Sequence, residues 1–280
     1  AMHFGNMPMI ADMGIYATEE ESEKILLKYI ENGGNFVDTA NIYHIGQSEE
    51  ILGRIIKKNN IPREKLVIAT KYTGPMSTDP NQAGNHKKNF VASLDASLKR
   101  LQLDYVDVYY VHFYDFSMDI RDLIRDLQVL INSGKVLHLA ISDAPAWQVA
   151  IANTYADEKG WAPFVAFQAR YSLVDRSLEQ DILPLSRKLN IGVVPWGVLG
   201  QGKLTGSRKR EGVSADANRK IEMTEEDYVV QDVVLKVAEE QSVTPAQIAL
   251  AWAIQVSGIS SAIVGAKNAH QIEDLMKAMN

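Results

Sequence analysis

The chain has no cysteine in its 280 residues, which excludes disulfides and any thiolate metal site. It lacks long apolar runs too: none nears the roughly 18 residues that a bilayer-spanning helix needs. It carries no excess of positive charge. With a net charge of −6, bulk electrostatics gives no reason to expect nucleic acid or an anionic membrane as partner. No Gly-x-Gly-x-x-Gly follows an early strand, which argues against the open doubly wound sheet as the alternative α/β architecture. The start, "AMHFGNMPMI", lacks a signal-peptide pattern, and the expected setting is the cytoplasm. No linker, low-complexity stretch or shift in composition divides the chain, so residues 1–280 read as a single domain.

What is present is a regular alternation. Strand candidates are "NFVDT" (35–39), "LVIATKY" (66–72), "VDVYYVH" (106–112), "VLHLAIS" (136–142), "VAFQA" (165–169), "GVVPW" (192–196) and "SAIVGA" (261–266). Most are apolar almost throughout, as parallel strands covered on both faces must be. Between them lie amphipathic helical stretches such as Phe90, Leu94, Leu98 and Leu101, spaced for one helix face. Thr18 with Glu21 reads as a capping box, Gly33-Gly34 as a helix stop, and Thr244-Pro245 as an N-cap with Pro at N1. With "AMHF" as the end of a short or truncated first strand, the pattern predicts an α/β (β/α)8 TIM barrel. Residues 197–224 read as a long loop, with the charge run "SRKR" (207–210) on its solvated face.

Barrel active sites form at the C-terminal ends of the strands. The polar residues there are Asp38, Lys71, His112, Ser142, Asp143 and Gln168, with Tyr43 in the loop after Asp38. Each alone reads as readily as a loop brace or a structural side chain. Together, on successive strands, they ring one mouth.

Seven blocks carry a resemblance from Met2 to about Met276: "GGNFVDTANIYHIGQSEEILG", "REKLVIATKY", "SLDASLKRLQLDYVDVYYVH", "GKVLHLAISD", "FQARYSL", "PWGVLGQGKLTG" and "AIVGAKNAHQIEDL". In this order they resemble the aldo-keto reductases, and "VHFYD" and "SGKVLHLAISDAPAW" are similar to the branch of aryl-alcohol dehydrogenases and norsolorinic acid reductase-like proteins. The resemblance implies a catalytic tetrad of Asp38, Tyr43, Lys71 and His112. It implies hydride transfer from NADPH to an aldehyde or ketone, with Tyr43 as general acid. Asp38 would hold Lys71, Lys71 would draw the Tyr43 pKa down from about 10, and His112 would orient the carbonyl.

The same resemblance implies the cofactor contacts. Trp196 would stack on the nicotinamide, and Ser142, Asp143 and Gln168 would hold its carboxamide, with Asp143 departing from the commoner Asn. The loop bearing Gly197, Leu199, Gly200, Gly202 and Lys203 would approach the pyrophosphate. Gly265, Lys267, Gln271 and Asp274 fall on the block for the 2′-phosphate and adenine. Lys267 there favours NADP over NAD, although Lys replaces the commoner Arg and Leu275 stands where an Asn often touches adenine. Tyr72 and Phe113 are the first candidates for the substrate wall, then Tyr16, with Met9, Met13 and Tyr114 nearby. His44, next to Tyr43, reads as an exposed loop residue, with a place in the pocket lining as the alternative, and the remaining histidines show no metal-site spacing. Both ends are shorter than the family pattern. A second reading is a regulatory protein that keeps the cofactor site, as in the potassium-channel β-subunits of this superfamily. A third is a truncated paralogue of low activity.

Overall fold

The computed structural model describes residues 1–7, 14, 16–208 and 221–279; Met9, Met13, Lys209 and Arg210 lie outside them. Six parallel strands follow one another in chain order: β1 (Phe36–Asp38), β2 (Val67–Tyr72), β3 (Val106–Val111), β4 (Val136–Ser142), β5 (Phe164–Gln168) and β6 (Gly192–Val193). Among the described residues nine α-helices accompany them: α1 (Glu19–Glu31), α2 (Gln47–Lys58), α3 (Lys87–Leu101), α4 (Ile120–Asn132), α5 (Ala146–Lys159), α6 (Ile182–Leu189), α7 (Glu225–Gln241), α8 (Pro245–Gln255) and α9 (Ala269–Met276). None of these is long and apolar enough to cross a membrane.

The sheet is strongly curled. Strands β1 and β5 stand four places apart, which in a flat sheet is about 19 Å. Yet Gln168 at the end of β5 donates to Asp38 at the end of β1 over 3.0 Å. This half-barrel with helices outside is an α/β fold of the (β/α)8 barrel type. Residue alternation divides its core in two. Ala69, Val108, Tyr110 and Ala140 fill the inside, while Ile68, Tyr72, Tyr109, Leu139, Ile141 and Phe167 face the helices. On α4, Ile120, Leu123, Ile124, Leu127 and Leu130 are buried, the three-or-four spacing that turns one stripe inward.

Both ends of the sheet differ from the strand expectations. Residues 261–266 form no regular strand. The chain reaches β6 just earlier, through a parallel bridge between Val193 and Ile259, and Ile263 donates to the Pro195 carbonyl over 2.8 Å. "AMHF" contributes only isolated bridges, Phe4 and Gly5 each meeting Ala17. The Ala1 backbone nitrogen donates to the Asp38 carbonyl, and the Ala1 carbonyl accepts from Ser48 Oγ at 2.7 Å.

The caps explain the helix boundaries. Thr244 and Gln247 form a reciprocal capping box with Pro245 at the first turn. At α1 only half of the expected box forms. Thr18 Oγ1 accepts from the Glu21 N–H, while the Glu21 carboxylate accepts from the Ala269 N–H at the start of α9. Helices α2 and α3 meet closely at Gly53, where an added Cβ would lie 2.5 Å from the Leu101 carbonyl oxygen. Gly53→Ala is therefore expected to cost about 1–3 kcal/mol through overpacking, read as a lower urea midpoint with an unchanged m-value.

Candidate active site at the C-terminal ends of the strands

Lys71 is the centre of the site. Alternation along β2 points Ala69 and Lys71 into the barrel and Thr70 and Tyr72 out of it. The Lys71 side chain is fully buried and Asp38 is 7% exposed. The ammonium donates to Asp38 Oδ2 at 2.5 Å, to the Thr39 carbonyl at 2.8 Å and to the Tyr43 hydroxyl at 3.4 Å. All three of its protons thus have acceptors, as a buried ammonium requires. Burial acts against its charge, but Asp38 and Tyr43 outweigh it and hold the Lys71 pKa above the ordinary lysine value.

His112 closes the cluster. Its ring meets Tyr43 edge-on, with centroids 5.8 Å apart. Burial first, then the nearby Lys71 charge, bring its pKa down to about 3, so the imidazole is neutral at physiological pH. Its Nδ1 is buried with no partner among the described residues.

Tyr43 differs from the sequence expectation in one respect. Lys71 does pull its pKa down, but burial is the larger effect, and with Asp38 and Asp143 it leaves the phenol above 10. The lysine limits the rise without reversing it, so Tyr43 rests as a protonated phenol.

The rest of the rim is built on β4, β5 and the segment after β6. Ser142 and Gln168 are register partners, and Trp196 bridges to Arg170 in parallel. The Trp196 backbone N–H donates to the Ala169 carbonyl and its carbonyl accepts from the Tyr171 N–H, which fixes its main chain at the rim, with the side chain half-buried. Asp143 follows Ser142 in a left-handed conformation, φ 43°. Burial pushes its carboxyl above the ordinary range, while the Trp196 indole and Lys71 act the other way. Gly197, Gly200 and Gly202 have φ of 71°, 59° and 97° and fold the next loop into tight turns. Leu199 in that loop packs against Val198 and Leu204.

Two expectations are corrected, at Tyr72 and His44, and the other expected residues take the places described with them. Tyr72 is fully buried, stacked on Tyr109 at 5.3 Å, and cannot line a substrate pocket because it faces the helices. His44, expected in solvent, is fully buried and accepts from the Met7 N–H at 3.2 Å. Asp274 is committed to the α8 cap, accepting from Thr244 Oγ1 and Gln247 Nε2. Lys203 forms an ion pair with Asp227 at the start of α7. Gly265 lies where a Cβ would stand 2.6 Å from the His3 ring, so packing requires its small size. Gln271 accepts from the Lys267 N–H at 2.8 Å, at the start of α9. Phe113 is 40% exposed, its ring 6.2 Å from that of His112, while Tyr16 is exposed without a described contact to the cluster.

Sequence reasoning missed one residue and one role. Gln168, expected only at the carboxamide, also holds Asp38, and Tyr110 forms a floor, its ring 5.7 Å from the Lys71 ammonium. The alternation that puts Val108, Tyr110 and His112 on one side of β3 was the available signal.

A barrel with a tyrosine, a lysine, an aspartate and a neutral histidine meeting at its strand ends has the equipment to hand a proton to a polarised oxygen. The profile of the Aldo/keto reductase family matches residues 1–280, and the chain belongs to that family of oxidoreductases. It is 37% identical to norsolorinic acid reductase stcV of Emericella nidulans, over 97% of this chain and 70% of that protein. It is 37% identical to aryl-alcohol dehydrogenase GME11368 of Pestalotiopsis microspora, over 94% and 69%. To the probable aryl-alcohol dehydrogenase AAD4 of Saccharomyces cerevisiae it is 32% identical, over 94% and 84%.

Two outcomes follow from this geometry. Asp38→Asn should cost about 3–5 kcal/mol of stability, since it leaves a buried ammonium without its counter-charge; equilibrium denaturation measures this. Because the His112 pKa is depressed, its imidazole gains a proton only near pH 3, and NMR titration from pH 8 to 5 should show no shift of its ring protons.

Proposed function

We propose that the chain is an NADP(H)-dependent reductase of aromatic or other bulky aldehydes and ketones, acting in the cytoplasm on small molecules. The observation that carries this reading is the Tyr43 hydroxyl 3.4 Å from a lysine ammonium that is itself paired with Asp38.

The rim suits a dinucleotide. Trp196 offers a flat face, Ser142 a hydroxyl and Asp143 an acceptor for an amide, and the loop at Gly197–Gly202 is built of turns that let a phosphate approach backbone. Lys267 beside the start of α9 is the cation for a 2′-phosphate. Bound NADPH supplies the hydride for the carbonyl carbon.

The chain's own residues handle the oxygen. Neutral His112 donates a hydrogen bond to it and fixes its direction. Tyr43, protonated at rest, gives its proton to the oxygen as negative charge builds there. The tyrosinate left behind faces Lys71, an attraction of about 4 kcal/mol near 4 Å at an effective dielectric of about 20. Asp38 keeps that lysine charged and in place. The aromatic preference is supported by Phe113 and by two further exposed rings, Phe116 in the loop after β3 and Trp147 in the first turn of α5. A flat apolar wall of this kind suits an aryl substrate.

Tyr43→Phe should lower reduction of aryl aldehydes by at least about 10²-fold, the range of a lost general acid, with NADPH affinity near the parent value in fluorescence titration. Reduction at the parent rate would refute the role given to Tyr43. Lys267→Ala should weaken NADPH more than NADH, and equal losses would refute the 2′-phosphate contact.

A further inference from the structure

The charges around this mouth do not cancel. Asp38 and Lys71 neutralise one another at 2.5 Å. Arg170 is paired with Asp175 at 3.2 Å, and Lys203 with Asp227. The Asp115 carboxylate accepts from the Asn85 and Ser117 backbone N–H groups. Tyr43 and His112 are neutral. Asp143 is likewise a carboxylate with no ion-pair partner among the described residues, and it is near enough to the Tyr43 hydroxyl and Lys71 to act on both electrostatically. Its position is fixed by backbone. Its N–H donates to the Gln168 carbonyl at 3.2 Å, and its carbonyl accepts from the Tyr114 N–H at 3.4 Å.

A hydride donor must reach a carbonyl whose oxygen touches Tyr43, so the donor ring lies inside the field of Asp143. That ring is neutral when reduced and carries a positive charge when oxidised. A fixed carboxylate distinguishes the two states, whereas a neutral amide at the same place would not.

We propose that Asp143 is a determinant of cofactor redox state, binding the oxidised, positively charged nicotinamide in preference to the reduced one. The inference rests on the NADP(H) reading above. By thermodynamic linkage, whatever factor favours bound NADP+ over bound NADPH also draws hydride transfer on the enzyme toward the alcohol. It equally slows release of the oxidised cofactor. The carboxylate thus favours the chemical step of reduction and moves the cost to product release.

The test is a pair of dissociation constants, for NADP+ and NADPH, measured by calorimetry on the parent chain and on Asp143→Asn. Asn accepts left-handed backbone as Asp does, so the variant keeps the turn. The ratio Kd(NADP+)/Kd(NADPH) should rise about tenfold, equivalent to about 1.4 kcal/mol. Asp143→Gly, which also tolerates this φ, should raise the ratio similarly, separating charge from hydrogen bonding. An unchanged ratio, or equal loss of both forms, overturns the role of Asp143 while leaving the NADP(H) reading intact. Failure of the parent chain to bind either form overturns both.

Discussion

A buried ammonium is the constraint around which this mouth is arranged. Removing Lys71 from water carries a penalty of several kcal/mol, offset only when every donor is satisfied and a counter-charge is adjacent. The chain meets that condition with groups from separate segments: Asp38 and the Thr39 carbonyl at the end of β1, and the Tyr43 hydroxyl from the following loop. Asp38 in turn needs a partner for its second oxygen, and Gln168 provides it from β5. The curl of the sheet and the solvation of one lysine are thus parts of the same arrangement. A flatter sheet would leave an Asp38 oxygen unpaired in the interior.

The same burial sets the resting protonation states. Desolvation penalises whichever form is charged, so it lifts the phenol of Tyr43 and lowers the imidazole of His112. The lysine opposes the first effect and adds to the second. The result is a neutral donor pair beside one paired cation, the arrangement suited to giving a proton to a carbonyl oxygen. The reverse reaction needs the tyrosinate, which this environment disfavours at rest. The rim charge of Asp143 acts in the same sense, since it too raises the phenol.

How much of this was legible depended on whether a property is local. Strands β2, β3 and β4 were readable because parallel strands buried on both faces are written as continuous apolar runs. Asp38, Lys71 and His112 were visible as polar ends to such runs, and the family resemblance joined them to Tyr43. The apolar run that reveals a strand, however, hides which of its residues face inward. Tyr72 and Tyr110 look alike in the sequence, and only the phase set by Lys71 separates a helix-facing core residue from the floor of the site. The bonds of Asp274 to Thr244 and Gln247 were hidden for another reason: they depend on two helices meeting. The balance at Tyr43 was misjudged because a pairwise lysine attraction can be written from the sequence, whereas burial is a property of the whole fold.

The loop carrying Tyr43 shows how the site stays in place. His44 and Ile45 hold φ of 49° and 54°, a conformation that costs a non-glycine residue of order 1–3 kcal/mol. Such backbone persists only when neighbours over-determine it. On one side Gly5 packs so close to His44 that a Cβ would lie 2.6 Å from its ring, and the Met7 N–H bonds to the imidazole. On the other, Gly46 lies against Arg100, whose guanidinium bonds Glu49 at 2.7 Å. Glu49 is fully buried and accepts from Thr70 Oγ1 at 2.5 Å. Thr70 and Lys71 are consecutive on β2 and point to opposite faces of the sheet. One secures the far end of the loop through Glu49 and Arg100, and the other holds Tyr43 itself. Two consecutive residues on a single strand therefore fix both the backbone that presents the phenol and the charge that receives it, so a shift in the register of β2 would undo the two together.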